Sequence, residues 1–86
     1  GEEAVNEMHT GRLKVMLANE PGSLAELSNL VARNNGNISN LNIVYRTVSY
    51  FELLLDIDVK DLKHLTDIIA ALKASKVVSY VSRANQ

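Results

Sequence analysis

Between Arg12 and Val31 the chain changes its apolar period, so a strand must run almost directly into a helix. From Arg12 to Ala18, Leu13, Val15 and Leu17 alternate with Arg12, Lys14 and Met16, the pattern of a strand with one buried face. After Gly22 the apolar residues fall at Leu24, Leu27, Leu30 and Val31, the spacing of a helix with one buried stripe. Asn19-Glu20-Pro21-Gly22-Ser23-Leu24 joins the two. Pro21 fixes φ and Gly22 accepts backbone angles that other residues avoid, so this pair turns the chain. A helix that begins at a strand end aims free backbone N–H groups beyond that end. Such a start attracts anions, the carboxylate of a small ligand included. Plain punctuation is the commoner meaning of a Pro-Gly turn before a helix.

The remaining elements alternate in the same way. The first strand is expected at about 12–19 and the first helix at about 23–35, with Ser23 and Glu26 as an S-x-x-E capping box. Asn34-Asn35-Gly36 ends that helix, and Gly36 suits the left-handed C-cap. A second strand at about 37–46 loses its alternation at Ser39-Asn40, which reads as a bulge. Arg46 to Ser49 has the length of a hairpin loop. In the third strand, about 50–59, Phe51, Leu53, Leu55, Ile57 and Val59 share one face. Asp61 is placed to cap a second helix at about 61–74, whose stripe is Leu62, Leu65, Ile69 and Leu72 with Ile68 beside it. A last strand at about 76–83 fits two alternations equally well.

The order βαββαβ is that of the ferredoxin-like α+β sandwich. It predicts a four-stranded antiparallel sheet with both helices on one face. The odd-numbered residues of the third strand then face the helices. The open face carries Lys14, Met16, Asn40, Asn42, Val44, Arg46, Leu54 and Asp56. Met16, Val44 and Leu54 form either an oligomer patch or the scattered surface hydrophobics normal to any protein. A chain of 86 residues is one domain with a small margin of stability, which a partner subunit would raise. Residues 1–10 are polar and acidic and read as a linker end or remnant, with the domain at 11–86 and no signal peptide. No apolar run approaches the roughly 20 residues of a membrane span. The absence of cysteine excludes disulfides and thiolate metal sites and suits a reducing compartment such as the cytoplasm.

Few chemistries fit. A net charge of −1 argues against a strong electrostatic nucleic-acid binder. His9 and His64 are the only histidines, and neither has a second ligand at metal-binding spacing. Ser23 reads as a cap rather than a nucleophile, since no histidine lies near it in sequence. Asp56, Asp58 and Asp61 cluster at the end of the third strand, but Asp56 and Asp58 alternate on an exposed face and Asp61 caps a helix. An RNA-recognition module of the same topology needs exposed aromatics on the first and third strands, and here only Tyr50 qualifies. No phosphate-binding or dinucleotide loop is present, so no cofactor is expected and the domain reads as non-enzymatic.

Arg12-Leu13-Lys14-Val15, Asn19 to Glu26 and Gly36-Asn37-Ile38-Ser39-Asn40-Leu41 together resemble an ACT domain over about residues 11–84. Asp56 to Leu65, with its D-x-x-V-x-D-x-x-H-L pattern, and the ending Val77 to Arg83 are similar to the C-terminal ACT domain of RelA/SpoT-type (p)ppGpp synthetase/hydrolases. The resemblance implies a regulatory module that binds a small amino acid, the branched-chain ones among the candidates, at a homodimer interface near the first strand–helix turn. On this chain that gives Asn19, Glu20, Pro21, Gly22, Ser23 and Leu24, with Asn37 and Ile38 of the neighbouring strand region. The helix start suits a carboxylate, Glu20 an ammonium, and Leu24 and Ile38 apolar contact. Glu20 stands where many ACT domains carry Asp or Arg, which leaves the ligand open. The resemblance further implies catalytic domains elsewhere in a parent GTP pyrophosphokinase and a contact with the ribosome and its tRNA. Two alternatives remain at this level: a ribosome-, RNA- or protein-contact module without a small ligand, or the ACT domain of an amino-acid biosynthetic enzyme.

Overall fold

The computed structural model describes residues 8–84. Its elements are β1 (His9–Ala18), α1 (Ser23–Arg33), β2 (Asn37–Arg46), β3 (Tyr50–Val59), α2 (Leu62–Lys73) and β4 (Val78–Arg83). The sheet is four-stranded and antiparallel in the order β2-β3-β1-β4, with β2 and β4 at the edges. This is the βαββαβ ferredoxin-like sandwich the alternation predicts. Leu13, Val15 and Leu17 of β1 and Leu53, Leu55 and Ile57 of β3 are fully buried against Leu27 and Val31 of α1 and Leu65, Ile68 and Leu72 of α2.

Both helices bury most of the expected stripe, Leu27, Leu30 and Val31 in α1 and Leu65, Ile68 and Leu72 in α2, and depart from it in the first turn. In α1 Ser23 is buried and Leu24 is 39% exposed; in α2 Ile68 is buried while Leu62 is 62% exposed. Leu24 and Leu62 each stand in the first turn of their helix. β1 starts earlier than the apolar pattern, because Gly11 holds a core position without a side chain. A Cβ there would come within 2.8 Å of Leu65 Cδ2, so glycine lets α2 approach the strand.

The capping box does not form. Gly22, at φ 87°, is the N-cap residue of α1 and provides no side chain to accept a hydrogen bond. Ser23 is already the first helical residue. The C-cap is also one residue from the expected place. Asn35 adopts the left-handed conformation, at φ 64°, not Gly36. Its N–H donates to the Ala32 carbonyl and that of Gly36 to the Val31 carbonyl, which is the Schellman pattern. Gly36 is needed for space: a Cβ would lie 2.8 Å from Ile68 Cδ1 and 3.0 Å from Val31 Cγ1.

The bulge expected at Ser39-Asn40 is present, and a second interrupts β2 between Ile43 and Tyr45. The second bulge turns Tyr45 to the open face opposite Glu52 and places Arg46 over the Phe51 ring at 5.1 Å. Arg46 therefore leaves the open face, and Val44 sits in the bulge at the sheet edge. A third irregularity, between Met16 and Leu17, lets Val78 and Val81 both turn inward although they are three residues apart. This is why two alternations fit β4 equally well in sequence.

Candidate functional site

Glu20-Pro21-Gly22-Ser23 is a type II turn. Ser23 N–H donates to the Glu20 carbonyl at 3.2 Å, and Gly22 takes φ 87°, ψ −9° at the third position, where an L side chain is strained. The helix starts on the same residue, since Glu26 N–H donates to the Gly22 carbonyl at 2.9 Å. The N–H groups of Leu24 and Ala25 stand in the first turn, beyond the reach of any intrahelical acceptor. No atom lies within 4 Å of where a Gly22 Cβ would stand, so this backbone is open to approach.

Asn19 holds the turn to the rest of the sheet. Its N–H donates to Ser49 at 3.0 Å and its Nδ2 to the Thr47 carbonyl at 2.8 Å, fastening the end of β1 to the β2–β3 hairpin. Ala18 N–H donates to Val77 at 2.8 Å, which sets the α2–β4 connection beside the same turn. Glu20, Pro21 and Gly22 are exposed. Ser23 is 1% exposed, and its Oγ is the one buried side-chain polar atom without a hydrogen-bond partner among the described residues.

Asn37 and Ile38 lie elsewhere. Asn37 pairs with Asp58 and Ile38 with Ile57, and Asp58 in turn pairs with Thr10 near the start of β1. The turn follows Ala18, so the two groups are about 25 Å apart along the sheet. One copy of the chain does not bring them together. Asn37 Nδ2 donates to Asp58 Oδ2 at 3.0 Å. Asn37 and Ile38 join Ser28, Val31, Ala32 and Gly36 around a hollow of about 220 Å³ on the β2 flank of α1. The turn lines a larger groove, of about 700 Å³, on the α2 flank.

The open sheet face carries more aromatic surface than the sequence pattern shows. Tyr80, Met16, Glu52 and Tyr45 form a row across all the strands, and the Tyr45 and Tyr50 rings are 6.4 Å apart. Tyr45 and Tyr80 are 57% and 50% exposed. The second bulge in β2 hides Tyr45 from any period-two count. The charges between these rings are paired within the sheet. Lys14 Nζ is 3.2 Å from Glu52 Oε2, and Arg12 makes a two-pronged contact with Asp56 at 2.8 and 3.2 Å. The Arg12 guanidinium, chiefly through that hydrogen bond, holds the Asp56 carboxyl below its ordinary value. No cluster of metal-ligating side chains occurs among the described residues, and no helix there is long and apolar enough to cross a membrane.

A split βαββαβ sandwich with a Pro-Gly turn at the start of its first helix defines a class of small modules, and comparison with known proteins gives the family. The chain matches the family model for the ACT domain across residues 5–83. It is 40% identical over 84 residues to the GTP pyrophosphokinase Rsh of Brucella ovis, a match that covers 98% of this chain and 11% of that protein. The Brucella abortus counterpart is 39% identical over the same length and the same shares. The ACT domain from GTP pyrophosphokinase of Chlorobium tepidum superposes with a TM-score of 0.75 at 18% identity, covering 91% of this chain and 100% of that one. The small subunit of acetolactate synthase from Thermotoga maritima gives 0.77 at 22% identity, covering 90% and 48%. The chain belongs to the ACT domain family. It spans about 11% of the length of the GTP pyrophosphokinases it matches.

Proposed function

We propose that this chain is the amino-acid-responsive regulatory module of a bifunctional (p)ppGpp synthetase/hydrolase, a cytoplasmic enzyme of the stringent response whose catalytic domains lie outside these residues. The similarity to two GTP pyrophosphokinases along 98% of this chain supports the parent. The observation that carries the ligand reading is the type II turn at Gly22. It opens the first turn of α1 to an anion, and an acidic side chain, Glu20, stands beside it. The carboxylate of a small amino acid meets the N–H groups there and its ammonium meets Glu20.

Two copies complete the site. Edge strand β2 is exposed along most of its length, with Ile43 and Val44 on its rim. If β2 pairs antiparallel with β2 of a second copy about a two-fold axis, the Gly36–Ile38 end of one copy meets the hairpin and turn end of the other. Residues that lie about 25 Å apart in one copy then face each other across the dimer. A ligand favoured by one arrangement of that dimer shifts the balance of synthesis and hydrolysis by its difference in affinity for the two arrangements.

A second reading, a ribosome or RNA contact, draws on the three tyrosines of the open face, since base stacking on aromatics tolerates any sequence. The internally paired charges of that face weigh against it. Calorimetric titration with each of the twenty amino acids, beside sedimentation at tens of micromolar, separates the two. Binding of an amino acid by a self-associating species supports the first reading. A strictly monomeric protein that binds none of them overturns it.

A further inference from the structure

The C-terminal end of α1 holds a reactive pair. Asn35 is the one asparagine of this chain that precedes a glycine. Gly36 has no side chain to shield its backbone nitrogen from the neighbouring amide. Asn35 is exposed, while the amides around it are tied: Asn34 Nδ2 donates to the Leu30 carbonyl at 2.9 Å and Asn37 Nδ2 to Asp58 Oδ2 at 3.0 Å. No such bond holds the Asn35 amide among the described residues. The backbone keeps the two reacting groups apart instead. Gly36 N–H donates to the Val31 carbonyl at 3.0 Å, and Asn35 keeps its left-handed φ of 64°. Gly36 packs closely against Ile68, Val31 and Ile57, and Nε2 of His64 lies 2.6 Å from the carbonyl of Asn34, the residue before the pair.

We propose that Asn35 is a site of spontaneous deamidation, kept closed by the Schellman cap and the His64 contact, whose isoaspartate product breaks that cap. In the opened cap the Gly36 nitrogen gives its proton to hydroxide and attacks Cγ of Asn35. A bond forms between that nitrogen and Cγ, the bond from Cγ to Nδ2 breaks, and ammonia leaves with a proton taken from water. The five-membered imide fixes ψ of residue 35 far from its left-handed value, so the ring does not close while the cap is intact. Water then adds to either ring carbonyl. Breaking the nitrogen–Cγ bond leaves an aspartate, and breaking the bond from nitrogen to the main-chain carbonyl carbon leaves an isoaspartate. The isoaspartate carries the main chain through Cβ and Cγ. The lengthened chain cannot keep the N–H groups of residues 35 and 36 on the Ala32 and Val31 carbonyls.

The test ages the protein in mildly alkaline buffer, folded and in guanidinium chloride. Mass spectrometry follows the peptide that spans Asn35, and methyl uptake catalysed by an isoaspartyl methyltransferase reads the isoaspartate. Amide loss at Asn35 is expected to be about tenfold or more slower in the folded protein than in denaturant. His64→Leu loosens the cap and is expected to speed the loss severalfold in the folded state while leaving the rate in denaturant unchanged. Asn35→Gly, which has no side-chain amide, is expected to show no loss at this position. Asn35→Asp adds the same charge on an unaltered main chain and is expected to melt close to the parent, whereas the isoaspartyl fraction melts lower. Equal rates in the folded parent and in denaturant overturn the proposal, as does a His64→Leu protein that folds and deamidates at the parent's rate. An amide retained at Asn35 in denaturant, or an isoaspartyl fraction that melts with the parent, overturns it as well.

Discussion

Nε2 of His64, in the first turns of α2, lies 2.6 Å from the carbonyl oxygen of Asn34, the residue that closes α1. The roles of the two ring nitrogens follow from their neighbours. Lys60 N–H donates to Nδ1 at 2.9 Å, so Nδ1 is the acceptor and Nε2 carries the proton toward Asn34. The backbone N–H of the same residue donates to Asp61, the N-cap, at 2.8 Å. One side chain thus ties the β3–α2 connection to the end of α1, next to the Schellman motif. His64→Leu removes both ring bonds and leaves the exposed Lys60 N–H to solvent and the half-buried Asn34 carbonyl without the ring. It is expected to cost about 1–3 kcal/mol, read as a lower midpoint of chemical denaturation. An unchanged midpoint contradicts the clasp.

Asn35 and Gly36 predict changes of opposite sign. Asn35 holds the left-handed angles, which glycine adopts without strain, so Asn35→Gly is expected to be neutral or to stabilise by up to about 1 kcal/mol. Gly36→Ala forces a methyl against Ile68, Val31 and Ile57 and is expected to destabilise by about 1–3 kcal/mol. Thermal melts of the two variants decide the matter. A stable Gly36→Ala protein means that the close approach of β2 to the helices is wrong.

The Arg12–Asp56 pair predicts a pH dependence. Asp56 is held below its ordinary value of 3.8, so the folded state favours the charged form. The contribution is present above that value and is lost as the pH falls below it, when the carboxylate is protonated. Arg12→Gln removes the hydrogen-bonded guanidinium that causes the shift. Its stability difference from the parent is expected to narrow on acidification below 3.8 and to be constant from neutral pH down to about 5. A difference that does not change with acidification contradicts the pairing. Salt lowers the same difference, because both groups border solvent.

The sequence shows the order of the elements because each strand and helix keeps one apolar face, and periodicity reports faces. It shows the family through the Pro-Gly turn and the Gly-Asn-Ile stretch. What it hides is whatever lacks a side chain or shifts the register. Gly11 occupies a core position and does not count as apolar, so the start of β1 is invisible. Two glycines exchange their expected roles with neighbours: Gly22 displaces Ser23 as the cap, and Asn35 displaces Gly36 from the left-handed position. The bulge at Val44 moves one tyrosine to the open face, where its period-two position does not place it. The turn at Pro21-Gly22 is legible from its residue types. That Asn37 and Ile38 lie at the opposite end of the sheet from that turn is a fact of three-dimensional pairing, which no local pattern encodes.

The central claim is that the first turn of α1, opened by Gly22, holds the ligand's carboxylate. Gly22→Val tests it most directly. Apart from its chain neighbours, no atom lies within 4 Å of a Cβ at that position, so the main cost is the left-handed backbone, about 1–2 kcal/mol, and the fold is expected to survive. The added branches are expected to crowd the approach to the N–H groups of Leu24 and Ala25. The measurement is calorimetric affinity for the amino acid that binds the parent, beside a circular-dichroism melt of both proteins. The account predicts a folded variant with no measurable binding; a folded variant that binds as tightly as the parent would contradict it.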